Sequence, residues 1–241
     1  MSTNFEYKEE DKEGLVTLDV VSQATHFNRW MFDTIKPFCE GKILEVGSGI
    51  GNISTYFVNE GYDLVLSDIR PKYCETLKSK FPNQIVRQID LVDDAFDQNN
   101  KDLFGCFDTV FALNVIEHIE DDQLAMTNLL KLLKSQGNFI ILVPAFQALY
   151  NSFDRALYHY RRYTKKSLRT LFENQFTIRD LFYFNPVGII GWYVNGSLLK
   201  KQTIPEDQMK QFDRLVPIFK LINYFTKPLF GLSVVGVATK S

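Results

Sequence analysis

The chain has 241 residues, of which 45% are hydrophobic and 23% are charged, a composition typical of an ordinary soluble globular protein. Its formal net charge of -2 argues against a general nucleic-acid-binding protein, because such proteins normally carry a basic excess. The three cysteines and three histidines are dispersed, with no spacing typical of a disulfide framework or a zinc site. We therefore expect no metal and a reducing, cytoplasmic environment.

Residues 1–19 begin with a polar stretch that lacks the basic start and apolar core of a signal peptide, and we expect them to form a tail. A helix is predicted near 20–38, where Pro37 helps to end it. Short apolar runs then alternate with helical patterns. The predicted strands lie at 42–46, 63–67, 84–89, 107–113 and 137–143, and the predicted helices at 51–59, 71–80 and 121–134. This alternation predicts an α/β fold with a doubly wound, mostly parallel sheet.

The pattern changes after Pro144. Residues 144–163 are predicted to form a long loop rich in tyrosine, arginine and aspartate, and Thr164 to cap a helix over 165–174. Strands follow at 176–184 and 232–239, and residues 186–231 between them carry apolar side chains at helical spacing. We interpret 186–231 as a helical insert in one domain made of 20–185 and 232–241.

The role of this insert stays open at this point. It could be plain core, a lid over the site, or a surface that rests on a membrane. Its longest apolar stretch, residues 186–199, is too short to span a bilayer.

A glycine loop is the strongest functional signal. An apolar strand carries Glu45 near its end, and Gly47, Gly49 and Gly51 follow at alternate positions before a helical pattern begins. Glycines allow a tight turn and the close approach of a ligand to the backbone. The start of a helix adds unpaired N–H groups. A tight turn without a ligand is the alternative.

Two residues distinguish this loop from the dinucleotide-binding fingerprint. Asn52 stands where that fingerprint requires its third glycine, and Glu45 would face a phosphate with a negative charge. An acidic group suits a cationic ligand instead, such as the ammonium of an amino acid.

Two more carboxylates end the next predicted strands, Asp68 the second and Asp90 the third. Asp68 could accept two hydrogen bonds from ribose hydroxyls, and Asp90 one from an adenine amino group. The alternatives are a helix cap at Asp68 and a turn at Asp90. Because the carboxyl ends of parallel strands meet at one edge, the three carboxylates together favour a ligand site.

These motifs make the sequence similar to the class I S-adenosylmethionine-dependent methyltransferases. The resemblance covers roughly 20–185 and the last strand. It implies a Rossmann-like sheet of seven strands with an antiparallel last strand, and S-adenosylmethionine as the cofactor. The first loop would lie under the methionine part, the second carboxylate would hold the ribose, and the end of the third strand would bind the adenine. The implied cofactor-binding residues are Glu45, Gly47, Ser48, Gly49, Gly51, Asp68, Ile69, Asp90, Leu91, Asn114 and Arg29.

Two further segments, 28–30 and 154–164, resemble a bacterial subgroup of these enzymes that often accompanies glycosyltransferases and envelope glycan or lipid pathways. This narrower resemblance is less specific for function, and our first hypothesis is methyl transfer to oxygen of a small-molecule, sugar or lipid-linked glycan acceptor. It is compatible with peripheral membrane contact and leaves the oligomeric state open.

Candidate bases lie near the end of the fourth predicted strand and in the later loop. Methyl transfer from a sulfonium is an in-line displacement, so the enzyme mainly orients the reactants and excludes water. A base is required only if the nucleophile must lose a proton. His118 is the first candidate and His159 the second, with Glu117 as a weaker one. The alternative for His118 is a purely structural role in the turn.

The loop rich in tyrosine and arginine is the candidate acceptor site. Guanidinium groups bind carboxylate or phosphate, and aromatic rings stack on sugar faces. An exposed basic loop anchored by Asp154 is the alternative. Arg161 and Arg162 are adjacent, so in an extended backbone only one of them reaches the acceptor while the other ties the loop to the core. The candidate acceptor-binding residues are Tyr150, Arg155, Tyr160 and Arg161.

Two other classes of protein share part of this pattern. A nucleotide-dependent oxidoreductase or epimerase is disfavoured by Asn52, by Glu45, and by the absence of a Tyr-x-x-x-Lys pair after a fifth strand. A non-catalytic cofactor-binding protein would keep the loop and the acidic strand ends but would lack turnover.

Overall fold

The computed structural model of the protein describes residues 12–173, 175–226 and 229–241. The α-helices are α1 (Lys12–Ser22), α2 (Thr25–Ile35), α3 (Ser54–Asn59), α4 (Pro71–Lys80), α5 (Phe96–Asn99), α6 (Asp122–Leu132), α7 (Ser152–Ala156), α8 (Lys165–Phe172), α9 (Gly188–Trp192) and α10 (Glu206–Thr226). The strands are β1 (Ile43–Val46), β2 (Leu64–Asp68), β3 (Ile85–Gln88), β4 (Phe107–Leu113), β5 (Leu133–Pro144), β6 (Phe176–Phe184) and β7 (Ser233–Lys240).

The seven strands form one sheet in the order β3-β2-β1-β4-β5-β7-β6. Strands β1 to β5 pair in parallel, and β7 is antiparallel to both β5 and β6. The predicted fold class is therefore confirmed. The strand order reverses between β1 and β4, and a crevice opens at their carboxyl ends, where sheets of this kind bind ligands.

The central strands are apolar because both faces of the sheet are covered. Every residue of β1 and β2 is buried. One face packs into a cluster that includes Phe107, Leu129 and Phe139, and the other into a cluster that includes Phe32, Phe57 and Phe111. This burial fixes the strand ends that carry the polar residues of the site.

The N-terminal region differs from the prediction. Residues 12–19, expected in the tail, belong to helix α1, and α1 and α2 replace the single helix expected near 20–38. The missed signal is the helical spacing of four residues that α1 turns toward the crevice, Gly14, Thr17, Leu18 and Val21. Residues 1–11 of the expected tail lie outside the described residues.

The region after β5 is more ordered than a long loop. A 3₁₀ turn covers Gln147–Leu149, and α7 begins with a capping box formed by Asn151 and Asp154. The predicted cap at Thr164 is confirmed, because its hydroxyl accepts a hydrogen bond from the Ser167 N–H at 3.1 Å. Side-chain caps of this kind stabilise short helices that an apolar period does not reveal.

The segment between β6 and β7 forms a helical hairpin. Its first arm is α9 continued by a π-helical turn over Tyr193–Leu198, and its second arm is α10, which packs against α2. Asn195 Nδ2 donates to Gln208 Oε1 at 2.6 Å at one end, and the Asn185 N–H donates to Asn223 Oδ1 at 3.0 Å at the other. The two arms therefore run antiparallel. No helix in the described ranges is long and apolar enough to cross a membrane.

Candidate active site

A cavity of about 770 Å³ lies at the carboxyl ends of the central strands. One end is lined by the glycine loop and the acidic strand ends. The other end is lined by the turn after β4, the loop before α8 and the inner side of the helical hairpin. We call the end lined by the glycine loop and the acidic strand ends the cofactor half, and the other end the second half.

The glycine loop approaches the cavity with its backbone. Gly47 and Gly49 have φ angles of 72° and 55°, a region that favours glycine. A Cβ on Gly47 would lie 2.4 Å from Val115 Cγ2, and one on Gly49 would lie 3.1 Å from Leu18 Cδ1. The Ser48 N–H donates to the Ser67 carbonyl at 2.7 Å, which ties the loop to β2.

Gly51 has a different role from the expected one. It does not line the cavity, and a Cβ there would lie 2.5 Å from a ring carbon of Phe81. Gly51 therefore permits packing of the loop against the end of α4, and its assignment to the cofactor is corrected.

Glu45 is buried beneath the loop and lines the cavity. The Ser54 hydroxyl donates to its Oε2. Burial raises the pKa of the Glu45 carboxyl to about 7, although the hydroxyls of Ser54 and Ser48 lower it in part. A cation beside this carboxyl would restore its ionised form.

Asp68 and Asp90 end β2 and follow β3, as predicted. Asp68 Oδ2 accepts from the Gly49 N–H at 2.9 Å, and its Oδ1 accepts from the Arg70 N–H at 2.9 Å. Asp90 Oδ1 accepts from the Val92 N–H at 3.0 Å. Both carboxylates line the cavity together with Ile69 and Leu91, whose apolar side chains suit the faces of an adenine ring.

Asn114 lies at the cavity as predicted, whereas Arg29 does not. Asn114 lines the cavity just after β4, where its φ of 54° turns the chain, a conformation that asparagine tolerates. Arg29 points away from the cavity and pairs with Asp33 at 2.8 Å and Glu60 at 3.0 Å. The predicted contact between Arg29 and the cofactor is therefore wrong.

Asn28 occupies the place expected of Arg29. It is buried and lines the cavity, its Nδ2 donates to the Val21 carbonyl at 2.7 Å, and its Oδ1 is buried without a hydrogen-bond partner among the described residues. A buried acceptor of this kind is normally satisfied, so it fits an N–H or ammonium group of a ligand.

These features fit S-adenosylmethionine. Carboxylates and the Asn28 oxygen suit its cationic sulfonium and ammonium groups, the glycines allow close approach, and the acidic strand ends suit ribose and adenine. Glu45, Asp68 and Asp90 would hold it, with the backbone of Gly47 and Gly49.

A buried polar cluster faces the second half of the cavity. The rings of His118 and His159 lie edge to face, with centroids 4.6 Å apart. Asp154 Oδ1 lies 2.9 Å from His159 Nδ1 and accepts from Arg162 Nε at 2.8 Å. Glu117 is fully buried, and neither of its carboxyl oxygens has a hydrogen-bond partner among the described residues.

Burial sets the protonation of this cluster. It raises the pKa of Glu117 to about 8, lowers the pKa of His118 well below its usual value, and lowers that of His159 despite the opposing effect of Asp154. Burial therefore favours the neutral form of both imidazoles.

The same cluster bears on the expectation of no metal. The potential ligand atoms of Glu117, His118 and His159 lie within 4.8 Å of one another, so within the described residues these three could hold an ion. The positive charge of Arg162 acts on the Glu117 carboxyl and competes with a cation there.

The predicted acceptor residues do not line the cavity. Tyr150 donates its hydroxyl to the His159 carbonyl at 2.7 Å, Arg155 and Tyr160 are exposed, and Arg161 pairs with Asp122 at 2.8 Å. Arg162 lines the cavity instead. The adjacent arginines do point apart, with Arg161 tying the loop to α6, so Arg162 and not Arg161 lies at the cavity.

The residues that sequence reasoning missed come from distant segments. The second half of the cavity is lined by Phe153, Leu157, Gly188, Gly191, Trp192 and Asn195. Trp192 packs on Phe153, with ring centroids 4.8 Å apart. A local motif does not reveal such contacts, because they depend on how the hairpin folds back over the crevice.

The comparisons with known proteins agree with this geometry. A family model for a methyltransferase domain matches residues 44–139, which span the glycine loop and the turn after β4. No curated protein matches the sequence.

Solved structures share the fold at low sequence identity. A TehB-like SAM-dependent methyltransferase from Corynebacterium glutamicum is 18% identical with a TM-score of 0.54, over 87% of this chain and 86% of that chain. A SAM-dependent methyltransferase from Archaeoglobus fulgidus is 17% identical with a TM-score of 0.55, over 88% and 94%. The YcgJ protein from Bacillus subtilis is 17% identical with a TM-score of 0.57, over 89% and 98%.

The class of enzyme follows from the matched domain, the sheet order and the cavity. The chain is an S-adenosylmethionine-dependent methyltransferase, and S-adenosylmethionine is its cofactor.

Proposed function

We propose that the enzyme methylates a hydroxyl oxygen of a small-molecule, sugar or lipid-linked acceptor that binds in the second half of the cavity. The buried cluster of Glu117, His118 and His159 supports this proposal, because neutral imidazoles beside an open cavity are the groups that an alcohol or phenol nucleophile requires. The apolar walls and the polar Asn195, whose buried Oδ1 has no hydrogen-bond partner among the described residues, suit an acceptor with both apolar and hydroxylated parts.

The residues of the second half have different roles in this reaction. Bound S-adenosylmethionine supplies the electrophilic methyl group. Asp154 holds His159 through Nδ1, which leaves Nε2 to accept the hydroxyl proton as the oxygen–methyl bond forms. The aromatic and aliphatic walls exclude water from the displacement.

Histidine variants test this proposal, with a labelled methyl donor and a panel of phenols, free sugars and lipid-linked sugars. His159→Gln or His118→Gln should bind S-adenosylhomocysteine normally and lose roughly 10²–10⁴-fold in rate if that histidine is the base. His26→Gln is the matched control, because His26 pairs with Asp213 at 2.9 Å and does not line the cavity. Wild-type rates in the double variant His118→Gln/His159→Gln, or a label found on nitrogen or carbon, would refute the proposal.

A further inference from the structure

Helix α10 carries apolar residues on two sides. On the inner side Phe212, Val216 and Phe219 pack with the core, and Met209 is buried. On the outer side five apolar residues have exposed fractions between 40% and 68%, namely Leu215, Ile218, Leu221, Ile222 and Phe225. The outer side of an amphipathic surface helix would instead be polar.

The first arm of the hairpin also exposes apolar residues. Gly188, Asn195 and Gly196 are its buried residues. Its exposed apolar residues are Ile190, Tyr193, Val194, Leu198 and Leu199. We call the exposed apolar residues of the two arms, together with Tyr224, the outer face.

Two hydrogen bonds connect this segment to α10, one from Asn195 in the first arm to Gln208 and one from Asn185, just before α9, to Asn223. Each arm carries exposed apolar residues. Soluble monomers rarely expose surfaces of this kind unless they contact a partner or a membrane.

Basic residues flank the apolar stripe in the C-terminal half of α10. The exposed acidic residues of α10, Glu206 and Asp207, lie in its first turn, and no aspartate or glutamate follows Asp213. Lys200 and Arg214 are exposed, and Lys201 and Lys220 follow them in the sequence, although Lys220 also donates to Asp33 at 3.2 Å. Basic residues beside an apolar face are the pattern that binds anionic lipid.

A second copy of the chain fits this surface less well. A symmetric dimer brings the same patch of both chains together, so the cations beside the apolar stripe of α10, such as Arg214, would approach their counterparts in the second copy. Anionic lipid headgroups complement these cations.

We propose that the outer face docks the enzyme on an anionic lipid membrane, so that a lipid-borne acceptor reaches the cavity directly. The inner side of the same hairpin lines the second half of the cavity with Gly188, Gly191, Trp192 and Asn195. One element thus contacts both the membrane and the acceptor. The docking proposal does not depend on the proposed reaction. The suggestion that the acceptor is lipid-borne rests on the proposed function.

Vesicle flotation of the full chain, without cofactor or acceptor, tests the docking. The probes are vesicles of phosphatidylcholine alone and vesicles containing about 30% phosphatidylglycerol. Wild type should float with the anionic vesicles at least tenfold more than with the neutral ones, and the bound fraction should fall as salt rises from about 0.1 to about 0.5 M. Ile218→Glu/Leu221→Glu should reduce binding at least tenfold.

The control variant Val16→Glu/Ile85→Glu changes two exposed apolar residues elsewhere and should float like wild type. Affinity for S-adenosylhomocysteine should be equal in all three proteins, which shows that each is folded. The proposal is overturned if wild type stays unbound to both vesicles, if both variants bind equally, or if Ile218→Glu/Leu221→Glu instead dissociates a dimer seen by light scattering. Because no methyl transfer is measured, these outcomes do not depend on the proposed reaction.

Discussion

The His159 ring and the Asp154 carboxylate are joined by a contact of 2.9 Å between Nδ1 and Oδ1. Burial acts to raise the pKa of Asp154, but the hydrogen bond from His159 and the charge of Arg162 outweigh it and hold that pKa below its usual value. Asp154 is therefore an ionised acceptor, His159 Nδ1 carries the proton, and Nε2 is left as the acceptor nitrogen. The same carboxylate also caps α7 through the Asn151 N–H.

Asp154→Ala should destabilise the fold strongly. It removes the partner of the buried Arg162 guanidinium, and breaking a buried pair costs about 3–5 kcal/mol. Arg161→Ala is the control, because its pair with Asp122 is partly exposed and is worth at most about 1 kcal/mol. Urea denaturation of both variants measures the difference, and equal losses would contradict a special role for Asp154.

Gly49→Val should abolish measurable cofactor binding. The side chain would be strained at a φ of 55° and would press on Leu18, which covers the loop. Gly61→Val is the matched control, because Gly61 also has a positive φ, 78°, but has nothing within 4 Å of its added Cβ. Calorimetry with S-adenosylhomocysteine should show a loss in the first variant only. Unchanged affinity of a folded Gly49→Val protein would remove this loop from the cofactor site.

Asp68→Ala should weaken cofactor binding by roughly tenfold to a hundredfold, because hydrogen bonds to a charged acceptor are worth about 1.5–3 kcal/mol. Part of this loss would come from the Gly49 N–H, which loses its acceptor at 2.9 Å. Glu75→Ala, on the exposed side of α4, should bind normally. A change of less than about twofold in Asp68→Ala would leave Asp68 with a purely structural role.

The affinity for S-adenosylmethionine should rise with pH near neutrality. The Glu45 carboxyl has a pKa of about 7, so below that pH it is neutral, and binding of a cation favours its ionised form. Affinity should increase as pH rises toward about 7, by at most about tenfold per unit, and level off at higher pH, where the carboxyl of the free enzyme is already ionised. Glu45→Gln should bind more weakly and without this slope, and S-adenosylhomocysteine, which lacks the sulfonium charge, should show a smaller one. Calorimetry at three pH values distinguishes these cases.

The Glu45 carboxyl also makes the stability of the fold depend on pH, in the direction opposite to its effect on affinity. Its pKa is raised from 4.5 to about 7 in the folded chain, so between these values the folded state holds a proton that the unfolded state has released. The free energy of unfolding should therefore fall as pH rises through this window, by up to about 1.4 kcal/mol per unit for this group. Glu45→Gln should lose this contribution to the slope of urea-derived stability against pH.

The cofactor half of the site could be predicted because one short stretch of chain supplies the strand, the turn and the helix start. The loop from Glu45 to Gly49 and the strand ends at Asp68 and Asp90 depend only on parallel strands meeting at one edge. The central strands could be predicted because both faces of the sheet are covered there, so that β1 and β2 are buried along their whole length.

Three other features of the site could not be predicted in this way. A shift of one residue along α2 turns the side chain by about 100°, and this separates the buried Asn28 from the exposed Arg29. The choice between Arg161 and Arg162 depends on Asp154, which is positioned by a cap in a short helix. Trp192 and Asn195 approach only when the hairpin folds over the crevice, a tertiary contact without a local pattern.

Phe184 pairs with Ser233, so the chain leaves the sheet for the hairpin and returns to it at a neighbouring position. The entropic cost of closing such a connection grows only slowly with its length, so one insertion can be exchanged for another while the sheet and the glycine loop stay the same. Under the proposed function, a different hairpin grafted at these two residues should change the acceptor preference and leave the methyl-donor site as it is.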